Sequence, residues 1–363
     1  MSYLIGLLFV TLAGLGTGTA AWPFKAAPEL RQEKFLLFGI GTGLLVIPWL
    51  IVAFCIPDHA ALIRDIGWRP LLLANAFSLS WGIANVLYVV CVLRIGAALT
   101  GALLSASALS VGVLLPLVIK GSGQFERASD LFSMTGALIF CGVFVVILGI
   151  VLVALAGQGR EKTLKGQDDQ TRSRQASGGF GTGLLLSVLA GLLSTGLSLG
   201  FVYGQGPIID AVHKQGCSSV VATTTVWALA VIGGMTVNML YAVVLLTKNG
   251  GWKRLAEKKI EIVYSILGGV QFIVSIVFLG QGMVLLGTLG ASIGFGIQQS
   301  LQVIGNQLVG FGGGEWKGVY GRPRAMMYAA IAIILLAVVI LSCSHFTGSE
   351  PSLSDCGTSE CRM

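Results

Sequence analysis

Apolar residues run through this chain in long stretches rather than in the amphipathic patterns of a water-soluble fold. Roughly ten stretches come near the ~20 residues that a helix needs to cross ~30 Å of hydrocarbon. They run from Leu4 to Trp22, Phe35 to Ile56, Leu71 to Leu93, Ala97 to Ile119 and Leu131 to Ala156. After a hydrophilic interval they resume from Gly183 to Tyr203, Val220 to Leu246, Ile262 to Met283, Leu285 to Val309 and Ala325 to Cys343. Backbone amides in lipid have no water partner, so each stretch is expected to close its own hydrogen bonds as a helix; the alternation of a membrane barrel is absent. The expected fold class is therefore all-α, a polytopic membrane protein of about ten transmembrane helices. Met1 to Tyr3 carry no basic side chain, so the first stretch reads as a retained helix rather than a cleaved leader.

The interval from Gly157 to Gly179 mixes Gln, Asp, Ser, Gly and basic residues without apolar periodicity, the pattern of a linker. It divides the chain into residues 1–156 and 180–344, each with five apolar stretches, followed by a polar tail, 345–363, expected to be disordered. Across the linker the sequence repeats. Gly6, Leu7, Leu8, Leu12, Ala13, Gly14 and Leu15 recur at identical spacing as Gly183, Leu184, Leu185, Leu189, Ala190, Gly191 and Leu192. Halves with an odd number of helices insert in opposite directions, so the expected architecture is two inverted five-helix repeats, as in many transporters.

Composition agrees: 55% of residues are hydrophobic, 11% charged, and the mean hydropathy is +0.86. The net charge of +7 would suggest nucleic acid in a soluble protein. Here its placement matters more, and no nucleic-acid partner is expected. Connections after the odd-numbered stretches hold about 17 of the 23 Lys and Arg residues, the remainder about 6. That predicts a cell-membrane protein with the linker in the cytoplasm and both termini outside. The 51 glycines include pairs four residues apart, such as Gly14 and Gly18, Gly39 and Gly43, Gly196 and Gly200, and Gly290 and Gly294, a spacing that lets helices pack closely.

Polar side chains at membrane depth need partners. In the third stretch Trp81, Asn85 and Tyr88 follow i, i+4, i+7 spacing and share one face; Asn75 and Ser78 lie in the same stretch. In the ninth, Gln298, Gln302 and Asn306 stand at successive i+4 steps, flanked by Gln299. Amides offer both donors and acceptors, and an aromatic ring offers an apolar platform, a combination suited to a neutral, hydroxyl-rich solute such as a sugar. The alternative is interhelical glue, which is the stronger reading for Asn238 and Gln271, each alone in its stretch. No carboxylate lies in the middle of a stretch. Candidate proton-coupling groups stand at the ends: Lys25, Asp210 with His213 three residues on, and Glu315 beside Trp316. Arg94 ends the third stretch as a headgroup anchor.

No metal site or cofactor is expected: there is no CxxC, and glycine runs without a preceding strand are not nucleotide fingerprints. The cysteines in or near the stretches behave as small apolar groups, and Cys356 and Cys361 in the tail would pair only on an oxidising side. With no HExxH, GxSxG, Walker motif or paired intramembrane carboxylates, no enzymatic activity is expected.

Several short motifs occur in order along the chain: Trp22-Pro23-Phe24-Lys25, Pro48-Trp49, Trp81-Gly82-Ile83-Ala84-Asn85 with Tyr88, and Arg94-Ile95-Gly96. Further on come Pro207 to Asp210, Gly233-Gly234 with Asn238, Gly268-Gly269, Glu315-Trp316-Lys317 and Gly321-Arg322-Pro323. Together they resemble the L-rhamnose–proton symporter family, everywhere except the linker and tail. The resemblance implies a ten-helix member of the drug/metabolite transporter superfamily that imports a sugar with a proton, with Asp210 as the retained acidic position. The chain differs from the family around Phe272 to Ile276, Met283 and Gly287 to Gly296, where the family carries more aromatics together with His, Tyr and Asp. An exporter of amino acids or other small metabolites on the same fold is the alternative.

Overall fold

The computed structural model describes residues 1–118, 120–127, 130–165 and 180–347. Every regular element among them is helical. The principal helices are α1 (Ser2–Thr19), α2 (Gln32–Cys55), α3 (Trp68–Ile95), α4 (Ala97–Gly112), α5 (Met134–Lys165) and α6 (Phe180–Lys214). They continue with α7 (Ser219–Ala230), α8 (Ile232–Lys248), α9 (Lys259–Leu285), α10 (Gly290–Gly312) and α11 (Arg322–Thr347). Among the described residues, seven segments are long and apolar enough to cross a membrane; α7 and α8 together make an eighth, bent by 54°.

Two expected boundaries move. α5 carries on past Ala156 to Lys165, so the first residues of the expected linker are helical, and α11 extends to Thr347. The rest of the linker, 166–179, and the tail with Cys356 and Cys361 lie outside the described residues.

Large aliphatic and aromatic side chains face outward along single helix faces. On α5, Phe140, Phe144, Leu148, Val151 and Leu155 are exposed at steps of three or four residues; on α6, Leu185, Val188, Leu189 and Leu192 are. Small and polar residues turn inward together with bulky apolar ones such as Trp227, Phe201 and Leu36. A lipid solvent allows apolar side chains on both surfaces, because apolarity costs nothing on the outside and close contact between helices gains dispersion energy within. The glycine pairs serve that contact. A Cβ on Gly14 would sit 2.6 Å from the Gln298 carbonyl oxygen of α10, so no larger residue fits without parting the helices.

The principal packing contacts join α3 to α6, α1 to α9, α1 to α10, α4 to α6, α2 to α9, α3 to α8, α4 to α10 and α5 to α11. Two departures from regular helix occur where α2 and the α7–α8 pair enter this bundle. In α2, Phe35–Val46 winds in wide π-turns ahead of Pro48, which lacks the N–H for a regular turn. Between α7 and α8 the turn at Val231 frees backbone groups, and α3 satisfies them. Gly233 N–H donates to Asn75 Oδ1 at 2.8 Å, Gly234 N–H to Ser78 Oγ at 3.1 Å, and Asn75 Nδ2 donates to the Leu229 carbonyl at 2.9 Å. These bonds explain why Asn75 and Ser78 stand at membrane depth.

Candidate functional site

The bundle encloses a cavity of about 820 Å³, open mouth included, within the range of small-molecule sites. α1 and the short helix Pro23–Ala26 close one flank with Thr17, Ala20 and Phe24; α3 contributes Trp81, Asn85 and Tyr88; α10 contributes Gln298, Gln299 and Gln302. The rest of the lining is largely apolar: Leu104 of α4, Leu197 of α6 beside Ser194, Phe272, Ile276 and Leu279 of α9, and Phe295 of α10. No charged side chain lines it.

The polar wall is already ordered by its own hydrogen bonds. Gln298 Nε2 donates to Thr17 Oγ1 and to Gln302 Oε1, both at 2.8 Å, and Thr17 donates in turn to the Ala13 carbonyl at 2.9 Å. Asn85 Nδ2 donates to Asn238 Oδ1 at 2.7 Å, and Asn238 Nδ2 is anchored on the Gly234 carbonyl at 2.8 Å. Such a lattice holds the amides at fixed positions and so lowers the ordering cost of binding a solute. One acceptor is left over: Gln299 Oε1 is buried and has no hydrogen-bond partner in the protein. A buried acceptor without a partner costs about 1–3 kcal/mol, which a solute hydroxyl would remove once a change of rotamer turned the amide into the cavity.

Of the residues expected to contact solute, Trp81, Asn85, Tyr88, Gln298 and Gln302 come together on the cavity lining. Asn306 and Asn238 stand one layer behind it. Asn306 accepts from the Tyr88 hydroxyl at 3.3 Å and donates to the Gln302 carbonyl, while Asn238 supports Asn85. Gln271 lies outside the lining, accepting from Trp22 Nε1 at 2.9 Å and donating to Thr19 Oγ1 and the Gly16 carbonyl. It joins α9 to α1. Sequence reasoning passed over Thr17 and Ser194, which both line the cavity and stand at the 177-residue spacing of the repeat, so the repeat itself was the signal. It also noted Gln299 only as a neighbour of the stripe.

The charged candidates separate to opposite ends of the bundle. Asp210 and His213 are exposed near the C-terminal end of α6, beside Lys214, which pairs with Asp65 at 3.6 Å just ahead of α3. Lys25 lies at the other end, paired with Glu315, whose carboxylate sits against Gly96 just past α3. Its Nζ is 2.6 Å from Glu315, whose other oxygen is 2.9 Å from Arg160 Nη1. The Arg160 guanidinium also covers the Trp316 ring, 5.7 Å from its centroid. Burial alone would raise the Glu315 carboxyl, but the hydrogen bond and charge of Lys25, with those of Arg160, outweigh it and hold the group below its ordinary value. A second buried pair, Lys34 and Glu261 at 2.8 Å, joins α2 to α9 at the same end. Among the described residues no group of His, Cys, Asp and Glu is arranged to hold a metal ion.

Comparison with known proteins gives this arrangement a family. Residues 2–345 match the family model described as L-rhamnose-proton symport protein (RhaT). The L-rhamnose-proton symporters of Salmonella paratyphi B, Salmonella newport and Salmonella enteritidis are each 25% identical to this chain over 337 residues, covering 90% of it and 94% of their own length. Those proteins are transporters, not enzymes. With the match running from the start of α1 into the last turn of α11, the chain belongs to the RhaT family of L-rhamnose-proton symport proteins.

Proposed function

We propose that this protein imports L-rhamnose or a related neutral monosaccharide together with a proton, by alternating access around the central cavity. The observation that carries the reading is the cavity itself, uncharged, lined by amides fixed in hydrogen bonds and by aromatic and aliphatic side chains. A deoxyhexose has both faces: hydroxyls to exchange hydrogen bonds with Asn85, Gln298 and Gln302, and C–H surface to lie against rings. Trp81 and Tyr88 flank the amides as platforms. Asn306 and Asn238 hold the contact residues in place.

Alternating access requires two halves that can exchange conformations, and we read the bundle as ten crossings in two inverted repeats. The count adds α4 and α10 to the seven long segments and the bent α7–α8 pair. α4 is apolar but short, while α10 carries five amides and is buried along most of its length. The packing supports the repeat. Shifting each helix by one repeat, with α7 and α8 taken as one crossing, turns α1–α9 into α6–α3, α1–α10 into α6–α4 and α2–α9 into the α8–α3 contact, and returns α4–α10 and α5–α11 to themselves. The repeated glycines follow: Gly6 meets Leu285 and Leu286 at the end of α9, while Gly183 meets Ile95 at the end of α3. Gly14 meets the Gln298 carbonyl of α10, while Gly191 meets the Leu104 carbonyl of α4. The end carrying Lys25, Arg160, Lys253, Arg254 and Lys317 would face the cytoplasm, and both termini the outside.

The test is uptake by the purified protein in proteoliposomes across a panel of neutral sugars and amino acids, with and without an inward proton gradient. Concentrative L-rhamnose uptake that collapses with the gradient is expected. Amino-acid counterflow without sugar uptake would overturn the reading in favour of an exporter.

A further inference from the structure

We propose that Glu315 is the carboxylate whose protonation is coupled to sugar movement, a proposal that rests on the symport reading: in this conformation it is clasped between Lys25 and Arg160, and it takes a proton when they withdraw.

Symport needs a titratable group whose protonation changes with conformation, and the cavity lining holds no carboxylate, His or Lys. Buried acidic side chains among the described residues are Glu33, Glu261 and Glu315. Glu33 faces Arg31, two residues away on its own segment. Glu261 pairs with Lys34 on the rim of a separate polar hollow, which shares no residue with the central cavity.

Glu315 alone of the three is tied to the helices that bear the cavity's polar groups. Lys25 follows Phe24, a cavity-lining residue on the extension of α1. Glu315 continues from α10, bonded through its N–H to the Gly310 carbonyl at 2.9 Å. At the C-terminal end of α3, Gly96 (φ +89°) lies against the carboxylate: a Cβ there would be 3.0 Å from Oε2. Arg160 reaches it from α5. Among the described residues, Lys25 and Arg160 pair with Glu315. Lys25 and Arg160 belong to the first half of the chain, Glu315 to the second.

Charge then forces the coupling. Among the described groups, two cations meet one anion when Glu315 is ionised; protonating the carboxylate in place would remove the charge that Lys25, 30% exposed, and Arg160, 15% exposed, share, and so loosen both. Cluster closed with carboxylate ionised, and cluster open with carboxylate protonated, are the two compatible states. Opening moves the α1 extension and α5 relative to α10, and so the walls that carry Thr17 and Gln298. The proton comes from and returns to the aqueous phase, and only the carboxyl O–H bond forms and breaks. Differential affinity for the proton between the two states is what links it to sugar movement.

The experiment uses the full chain in proteoliposomes, reading sugar-evoked proton movement with a pH dye and, separately, gradient-free L-rhamnose counterflow. The wild type is expected to do both; if it moves sugar with no proton, the symport reading fails irrespective of Glu315. In Glu315→Gln the evoked proton uptake and concentrative accumulation should be lost, while counterflow stays within about threefold of wild type and loses its pH dependence. Proton coupling that persists in Glu315→Gln overturns the proposal, as does its loss in Asp210→Asn or Glu261→Gln with Glu315→Gln unaffected. Should Glu315→Gln lose counterflow as well, Glu315→Asp must restore both activities; a folded Asp variant, monodisperse in detergent, that restores neither assigns Glu315 a structural role and overturns the proposal.

Discussion

α10 and α4 stand in matching surroundings, yet one is the polar wall of the cavity and the other part of its apolar wall. Each packs a backbone carbonyl against a glycine of a neighbouring helix, Gln298 against Gly14 and Leu104 against Gly191, and the two helices pack on one another. Gln298 and Leu104 also both line the cavity. The comparison separates two kinds of constraint. Where backbones touch there is no room for a Cβ, and both halves carry glycine. Where a side chain faces open space nothing steric dictates its identity, and the halves differ: Gln298, Gln299 and Gln302 on α10, Leu104 on α4. A packing frame common to both halves thus surrounds contents that are not, which leaves the cavity with two chemically distinct faces.

The sharpest way to break this comparison is to remove the polar face. Joint Asn85→Ala and Gln302→Leu substitution deletes solute partners from α3 and α10 and leaves Asn238 and Gln298 each short of one. At about 1–3 kcal/mol for each lost hydrogen bond, L-rhamnose uptake should fall more than about a hundredfold. Uptake unchanged in a variant that folds would remove the assignment of the site to this wall.

A smaller effect is expected at Gln299, whose unpartnered acceptor makes no bond within the protein. Gln299→Leu should raise the half-saturation concentration for L-rhamnose about tenfold, the equivalent of about 1.4 kcal/mol, without lowering the melting temperature in detergent. A loss of stability equal to the loss of affinity would mean that the amide holds the bundle rather than the solute.

The smallest effect belongs to the apolar wall. Leu104→Ala removes three methyl-sized groups from a surface where the solute offers only C–H contact, and uptake should change by less than about fivefold. A change in the ranking of neutral sugars with little change in maximal rate would sharpen the comparison, because it would assign selectivity to the apolar face and affinity to the amide face.

How much of the site could be read in advance follows the same division. Trp81, Asn85, Tyr88, Gln298 and Gln302 were legible because polar residues at i+4 steps in an apolar helix must share a face, and that face must find partners away from lipid. The rank of each was not. Asn306 and Asn238 have the same chemistry as Asn85 but lie behind it, and Gln271 is spent on Trp22 and Thr19. Spacing along one helix gives direction about its axis; depth depends on the neighbouring helix. The break at Val231 escaped notice for a related reason: Val220 to Leu246 is apolar throughout, and what permits the turn is a pair of side chains, Asn75 and Ser78, about 155 residues away.

From sequence alone came the membrane-buried, all-helical class, because the water-to-hydrocarbon transfer of a ~20-residue segment is decided by its own composition and by its need to satisfy its own backbone. Family membership and the matching glycines of the two halves were legible there too, both being patterns along one chain. Tertiary structure alone decided which amides line a cavity, which brace it, and that Lys25 and Arg160 converge on Glu315. Those outcomes depend on distances between residues remote in the chain, and such distances are set by how helices pack, through steric fit summed over many contacts rather than through any local signal.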